Sequence, residues 1–194
     1  MANALGMEAI VAIGKMTVAE FRNVEFDDND TSWYELIDGG IVKKASPNPR
    51  HQEISFELSQ LVGAHVKQNK LGKVYYTPID VFLNGHNSIQ PDLLFIPADK
   101  LTMVTPDSIE GVPALVVEIV SPTSGYRDRV TKKEVYEAHG VQECWLVDPL
   151  EELIEIFALE NGQYVLLSAA SPDEGTLRSN VLPGLVINVA NVLR

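Results

Sequence analysis

The chain has 194 residues, 45% of them hydrophobic and 22% charged, the balance of a globular protein long enough to bury one substantial core. Its one cysteine, Cys144, excludes a disulfide framework and a cysteine-based zinc site. The net charge of −12 argues against a general nucleic-acid binder, because such proteins present a basic surface.

The first residues carry no targeting or membrane signal. The apolar run 9–13 is too short to span a bilayer, and no Lys or Arg precedes it as in a signal peptide. We therefore predict a flexible extension over residues 1–15, a single domain over residues 16–194, a cytoplasmic location and no membrane partner.

A short helix and a hairpin are the first predicted elements. Thr17-Val-Ala-Glu20 has the pattern of a capping box, in which the Thr hydroxyl caps the helix and the Glu reaches back to the Thr amide. A strand over 33–37 then turns at Asp38-Gly39-Gly40 and returns through Ile41-Val42, which predicts a hairpin.

A long helix follows the Pro-rich loop 46–49. Gly72 is predicted to end it as a left-handed cap, and His51 falls in its first turn. The apolar residues that mark one face at helical spacing are Ile54, Leu58, Leu61, Val62 and Val66.

Strands dominate the rest of the chain. Residues 90–96 and 114–120 are predicted as two central strands, joined by a mobile loop rich in Pro and Asp. A helix is predicted over 126–139, stopped by Gly140. The other predicted strands are 74–76, 81–83, 143–147, the hairpin pair 153–159 and 164–167 joined at Asn161-Gly162, and 181–189, which finishes the sheet. Mixed strands with few helices indicate an α/β sandwich rather than a regular βαβ array.

Glu118 is the residue that packing explains least. Its neighbours in Ala114-Leu-Val-Val-Glu-Ile-Val120 are all apolar, as in a strand buried on both faces, where a carboxylate is costly unless paired or bound to metal. Alternation puts Asp92 on one face of its own strand. If the two strands pair, Asp92 and Glu118 converge.

Two converging carboxylates favour a hard metal ion. With the backbone carbonyl of Ile119 and several waters, Asp92 and Glu118 would suit Mg²⁺ or Mn²⁺. Such an ion polarises a phosphoryl oxygen, and a nearby lysine such as Lys132 would orient the attacking water.

Structural interpretations of the same residues remain open. An Asp after Pro is commonly a cap, Lys132 alone reads as a solvated helix face, and His51 alone reads as a surface residue. Glu35, between apolar residues, is either a third acidic site residue or a cross-strand ion-pair partner. Two basic groups either contact phosphate or form solvated faces: Arg127, Arg129, Lys132 and Lys133, and Lys43, Lys44 and Arg50.

Several motifs in order resemble the Uma-type restriction-endonuclease family of the PD-(D/E)xK nuclease superfamily, over roughly residue 16 to the C-terminus. They are Tyr34-Glu-Leu-Ile-Asp-Gly39, Ser46-Pro-Asn-Pro-Arg-His51, Gln90-Pro-Asp-Leu-Leu-Phe95, Val116-Val-Glu-Ile-Val-Ser-Pro122, 127–136 and Trp145-Leu-Val-Asp-Pro149. The resemblance implies an α/β restriction-endonuclease-like core, a central mixed sheet flanked by helices with extra hairpins. It also implies divalent-metal-dependent hydrolysis of duplex DNA and a homodimer.

The resemblance also assigns site residues by position. Asp92 and Glu118 match the metal-binding carboxylates. The usual superfamily lysine falls at Val120, which cannot serve, and the matching basic residue is displaced to Lys132, with Lys133 as second choice. The supporting polar positions are Glu35, His51 and Gln90.

Three functions therefore stay open. The first is a Mg²⁺-dependent DNA endonuclease. The second is a non-catalytic nuclease-fold binding module, favoured by the displaced lysine and the acidic charge. The third is a metal-dependent hydrolase of small phosphate compounds. An acidic surface is more compatible with a small substrate than with a DNA duplex.

Overall fold

The computed structural model describes residues 14–27, 29–44, 46–121, 127–173 and 175–194, without the side chains of Arg127 and Asp128. The predicted extension over residues 1–15 lies almost wholly outside these residues. None of the helices in the described part of the chain is long and apolar enough to cross a membrane.

Strands make up most of the regular structure. In chain order they are β1 (Tyr34–Ile37), β2 (Gly40–Lys43), β3 (Gly72–Tyr76), β4 (Val81–Asn84), β5 (Asn87–Ile89), β6 (Leu93–Pro97), β7 (Ile109–Glu110), β8 (Leu115–Ile119), β9 (Glu143–Asp148), β10 (Leu153–Glu160), β11 (Gln163–Ala170), β12 (Thr176–Arg178) and β13 (Val186–Asn188). The α-helices are α1 (Val18–Phe21), α2 (Pro49–Asn69), α3 (Lys133–Ala138) and α4 (Ala190–Leu193).

The main sheet has the strand order β11-β10-β9-β8-β6-β3 and is mixed, because β8 and β9 run parallel while its other neighbours are antiparallel. A second sheet has the order β2-β1-β5-β4-β7, and β12 and β13 form a separate ribbon. This agrees with the predicted class: a central mixed sheet, flanking helices and additional hairpins.

Each face of the main sheet buries its own core. Leu93 and Phe95 point with Val117 toward α2, α4 and the β12–β13 ribbon. Leu94 and Ile96, one residue out of phase, point toward α3 and the second sheet. Alternate side chains of one strand therefore pack into two different cores. Strand β8 is buried along its whole length, as predicted.

Several predicted elements form where local sequence signals placed them. The Asn48 side chain accepts a hydrogen bond from the His51 amide at 2.8 Å, and Pro49 opens α2. Turns 38–39 and 161–162 have positive φ at both central residues, the geometry that Asp-Gly and Asn-Gly favour in two-residue hairpins. The capping box at Thr17 and Glu20 is also confirmed.

Gly72 does not cap α2, contrary to the prediction. Lys70 takes the left-handed position with φ 54°, and Gly72 opens β3 with φ 153°. A Cβ at Gly72 would lie 2.0 Å from the carbonyl oxygen of Ile96. Glycine is therefore needed for close approach of β3 to β6, a tertiary contact that helix periodicity does not contain.

The predicted strand over 90–96 begins only at Leu93, because residues 90–92 cross from one sheet to the other. β5 pairs with β1 and β4 in the second sheet, and the chain then crosses at Gln90-Pro91-Asp92 to begin β6 in the main sheet. Pro91 has no amide hydrogen and cannot continue a ladder, which suits a crossing point. Asp92 consequently lies at the junction of the sheets rather than inside a strand.

Two predicted segments differ in form. The expected mobile loop after β6 contains a 3₁₀ helix, Ala98–Met103, and β7, which pairs with β4. The expected helix over 126–139 is π-helical over Arg127–Lys132 before α3 begins, and Tyr126 lies outside the described residues. A π-helical turn changes the direction in which Lys132 points relative to a regular α-helix.

The C-terminal segment does not finish the main sheet. β13 pairs with β12 in a two-stranded ribbon, and residues before it are held by the Glu143 carboxylate. Its oxygens accept hydrogen bonds from the amides of Asn180 (2.6 Å) and Val181 (3.0 Å), the Ser179 hydroxyl (2.7 Å) and the Trp145 indole (2.9 Å). Because these amides are used by a side chain, they are not available to a strand ladder.

Replacing Glu143 by Gln will lower the free energy of unfolding by roughly 1–3 kcal/mol. All four partners are donors, so the amide NH₂ of Gln must face a donor in either orientation. Urea denaturation measures the loss, with the exposed Glu160→Gln as matched control. Equal stability of the two variants would contradict this account of the C-terminal segment.

Candidate active site

A cavity of about 300 Å³ opens where the main sheet, the second sheet and the start of α2 meet. It combines charged, polar and aromatic side chains from segments far apart in the chain. Its lining residues are Trp33, Lys44, Ser46, Pro47, His51, Gln52, Thr77, Pro78, Gln90, Asp92, Glu118, Ile119, Ser121 and Lys132.

Asp92 is buried at the inner wall of the cavity. Its Oδ2 accepts a hydrogen bond from the Ile119 amide at 2.8 Å and lies 3.1 Å from Nε2 of His51, while Oδ1 lies 3.5 Å from Nζ of Lys44. Burial opposes ionisation, but the His51 hydrogen bond and the Lys44 charge lower the pKa of Asp92 to about 2. Asp92 is therefore a carboxylate at neutral pH.

The loss of stability at acid pH tests the lowered pKa of Asp92. Since the folded pKa lies below the ordinary 3.8, Asp92 stabilises the fold above about pH 4, and that contribution is lost as the pH falls toward 2. Urea denaturation at pH 5 and pH 3 should show wild type losing roughly 1 kcal/mol more than Asp92→Asn. Equal losses in the two proteins would show that Asp92 has an ordinary pKa.

Glu118 approaches the same cavity from β8. Leu93 pairs with Val117, so Asp92 and Glu118, the next residues, come to the same end of the β6–β8 pair. Both Glu118 oxygens lie 3.1 Å from Nζ of Lys132, and Oε1 also accepts a short hydrogen bond from the Tyr136 hydroxyl. Burial and the Glu118 charge raise the pKa of Tyr136 far above its usual value, so the phenol stays a donor.

Lys132 joins two acidic side chains. Its Nζ lies 2.9 Å from Oε1 of Glu35 in addition to its contacts with Glu118, and its side chain is 1% exposed. Lys133 points elsewhere, with Nζ 4.1 Å from the centre of the Phe157 ring. Val120, at the usual superfamily lysine position, is buried and apolar. The structure thus brings Lys132 to the cavity and not Lys133.

Glu35 lies behind this ion pair and is fully buried. Its Oε1 also accepts a hydrogen bond from the Gln90 amide at 2.9 Å, whereas its Oε2 has no hydrogen-bond partner among the described residues. Burial opposes ionisation, but the charges of Lys132 and Lys44 lower the pKa of Glu35 below its ordinary value. Glu35 does not itself line the cavity, so it reaches the site through Lys132.

His51 and Gln90 both line the cavity. His51 is buried rather than on the surface, and within the described ranges its Nδ1 has no hydrogen-bond partner. Gln90 donates from Nε2 to Asp80 at 2.9 Å, while its side-chain oxygen has no partner in the part of the chain that the structure describes. Unsatisfied buried polar atoms are uncommon, and they mark this junction as a place where a ligand or water would find partners.

Two residues at the site were not singled out from the sequence. Lys44 donates to the Gln90 carbonyl at 2.6 Å and reaches Asp92, although the sequence offered it only as part of a basic group. Tyr136, which donates to Glu118, stood inside a recognised motif without a role. The available signal was its spacing of four residues from Lys132, which places both on one side of a helix.

Several members of the two predicted basic groups form ion pairs with neighbouring carboxylates. Arg129 pairs with Asp148 at 2.6 Å and Glu155 at 2.7 Å. In the second group, Lys43 pairs with Asp30 at 3.2 Å. Arg50 pairs with Glu53 at 3.3 Å. Arg129, Lys43 and Arg50 are therefore engaged by carboxylates, whereas Lys44 and Lys132 from the same groups line the cavity.

The donor set suits a hard cation only in part. Carboxylate oxygens of Asp92 and Glu118 line one cavity with Ile119, which supplies oxygen donors of the kind Mg²⁺ prefers. No group of three or more His, Cys, Asp or Glu side chains within the described ranges is arranged to hold a metal. An ion here would therefore need waters or substrate oxygens to complete its coordination.

Comparisons with known proteins give a consistent result. Residues 18–190 match the sequence model of the Uma2 family, described as "Putative restriction endonuclease". The fold is similar to the crystal structure of "a putative nuclease belonging to DUF820" from Anabaena variabilis, with a TM-score of 0.73 and 19% identity, covering 92% of this chain and 97% of that chain. No curated protein is significantly similar in sequence.

Proposed function

Since the chain belongs to the Uma2 family, we propose that it is a divalent-metal-dependent endonuclease that hydrolyses phosphodiester bonds in DNA. The observation that carries this proposal is the meeting of Asp92, Glu118 and Lys132 on one cavity, all three buried. Burying charged groups is costly, and clusters of them in a cleft are typical of reactive sites.

Mg²⁺ or Mn²⁺ is the cofactor we propose, held by Asp92, Glu118 and the Ile119 carbonyl. When bound, it would polarise a phosphoryl oxygen and lower the pKa of an attacking water. Two protein carboxylates with several waters are a common way of binding Mg²⁺, which loses its hydration shell reluctantly. The scarcity of other protein ligands therefore agrees with the proposal.

The protein side chains have separate roles in this proposal. Lys132 orients the attacking water and offsets charge that develops on the phosphate, and Glu35 and Tyr136 hold the Lys132–Glu118 pair in place. His51 fixes the orientation of the Asp92 carboxylate. Lys44 adds a second positive charge beside Asp92.

Metal ions will raise the melting temperature of wild type and leave Asp92→Asn and Glu118→Gln unmoved. An ion that binds only the native state at about 100 times its Kd adds roughly 2.7 kcal/mol of stability, or several degrees for a chain of this size. Thermal melts with titrated Mg²⁺ or Mn²⁺ measure the shift, and the exposed Asp99→Asn is the matched control. The same shift in all four proteins would place the ion elsewhere.

A non-catalytic binding module is the second candidate. The observation in its favour is that the Glu118 carboxylate already contacts Lys132 and Tyr136, as in a pair kept for structure. It predicts partner binding without turnover and no metal-dependent change in melting temperature. A metal response in the experiment above would count against it.

Assembly and location follow the family resemblance and the composition. We propose that residues 16–194 form one domain, that the protein acts as a homodimer, and that it is cytoplasmic. Light scattering coupled to size-exclusion chromatography tests the dimer directly.

A further inference from the structure

Trp33 is exposed at the cavity, and two further exposed aromatic side chains lie near lining residues in the chain. Trp33 lines the cavity and is nevertheless 53% exposed. Phe56, 58% exposed, lies one turn along α2 from the cavity-lining Gln52, which puts both on the same side of the helix. Tyr76, 63% exposed, directly precedes the cavity-lining Thr77 and Pro78. Exposed apolar surface of this kind beside a cleft indicates binding.

The cavity is also small. A volume of about 300 Å³ lies at the lower end of small-ligand sites and is suited to a group about as large as one nucleotide. The carboxylates and Lys132 lie buried within it, so a phosphodiester must enter the cavity to reach them. A flexible unpaired strand can bend a single nucleotide into so small a space more readily than a stiff duplex can.

The acidic charge of the protein also argues against a duplex substrate. Duplex binding draws most of its affinity from neutralising many phosphates with Lys and Arg. Here 27 acidic residues outnumber 15 basic ones, and Lys132 and Lys44 are already engaged by carboxylates. Proteins that bind single strands add a second source of affinity, because bases stack on exposed aromatic side chains whatever their sequence.

We propose that the substrate is an unpaired DNA strand, with one base stacked on Trp33 and the adjacent phosphodiester inside the cavity. Phe56 and Tyr76 extend the stacking surface to neighbouring bases. The inference rests on the proposed nuclease function and replaces the duplex expected from the family resemblance. It covers single-stranded DNA and unpaired stretches within a duplex, which present the same chemistry.

Tryptophan fluorescence provides a direct test. The chain has two tryptophans, of which Trp145 is fully buried, so quenching by a stacked base reports on Trp33. Wild type in EDTA, which prevents cleavage, is titrated with a 12-nucleotide single strand, its duplex, an abasic strand of equal length and a mononucleotide. We expect saturable quenching by the single strand alone, with affinity at least about tenfold above the other probes.

Variants assign the effect to the ring. With affinity measured by the fluorescence anisotropy of a labelled single strand, Trp33→Ala should lose about tenfold in affinity, whereas Trp33→Phe should retain most of it; both lose the quenching. Leu166→Ala, an exposed apolar residue on the far edge strand β11, should retain both. Equal binding by the duplex, the abasic strand or the mononucleotide, or unchanged affinity in Trp33→Ala, overturns the inference.

Cleavage assays separate this inference from the proposed function. If wild type and Trp33→Ala cut duplex DNA equally well with Mg²⁺ or Mn²⁺, the nuclease function stands and the unpaired-strand inference is wrong. If the single strand quenches Trp33 but no DNA is cut, strand binding stands and the nuclease function is wrong.

Discussion

Asp92→Asn and Glu118→Gln will each reduce metal-dependent DNA cleavage by at least about 10²-fold, the loss typical when one preorganised electrostatic group is removed from an active site. Both carboxylates line the cavity, and each substitution keeps the size of the side chain while removing its charge. Asp92 also loses its pairing with Lys44 and His51. Initial rates on a labelled oligonucleotide with Mg²⁺ or Mn²⁺ measure the effect.

Matched controls make this test specific. Asp99→Asn and Glu160→Gln are the same chemical changes at exposed positions and should cleave at the wild-type rate. Circular dichroism checks that the site variants are folded. Folded Asp92→Asn and Glu118→Gln proteins that cleave as fast as the controls would remove both carboxylates from the catalytic site.

Lys132→Met will destabilise the protein by about 3–5 kcal/mol, the usual cost of removing one partner from a buried ion pair. Methionine fills a similar volume but leaves Glu35 and Glu118, both almost fully buried, without the cation that contacts them. Lys133→Met is the neighbouring control and should cost only about 1 kcal/mol, because Lys133 contacts the Phe157 ring. Chemical denaturation gives both values.

A double variant identifies the cause of that loss. Adding Glu35→Gln to Lys132→Met removes one of the two carboxylates and should restore part of the stability, whereas additive losses would mean that packing, not charge, was lost. The result matters for function, because the same ion pair that stabilises the fold also fixes the Lys132 ammonium beside Glu118.

A large part of the fold is predictable from local patterns in the sequence. The Asn48-Pro49 start of α2, its apolar stripe and the turns 38–39 and 161–162 depend on residues within a few positions of one another. The apolar run around Glu118 likewise predicts that this carboxylate is buried, without information on its partners. Such features are set by backbone preferences and by hydrophobic periodicity, which a linear sequence contains in full.

Contacts between segments that are far apart in the chain determine the rest of the fold. Whether residues 87–97 form one strand or two depends on β1 and β8, which lie far away in the chain. Gly72 leaves room for the carbonyl oxygen of Ile96. The segment before the last strand donates hydrogen bonds to Glu143 and so does not join the main sheet. These are contacts between surfaces that meet only after folding, so no local pattern encodes them.

The site itself divides in the same way. The sequence by itself determined the residue types: Asp92, Glu118 and Lys132 in an order that matches a nuclease family. Only the tertiary structure decided that Lys132 rather than Lys133 faces the cavity, that Lys44 joins it and that Trp33 stands at its mouth. Asp92 is positioned by the chain crossing at Pro91 and Lys132 by the π-helical turn before α3, and the crossing depends on pairing with strands that are distant in the chain.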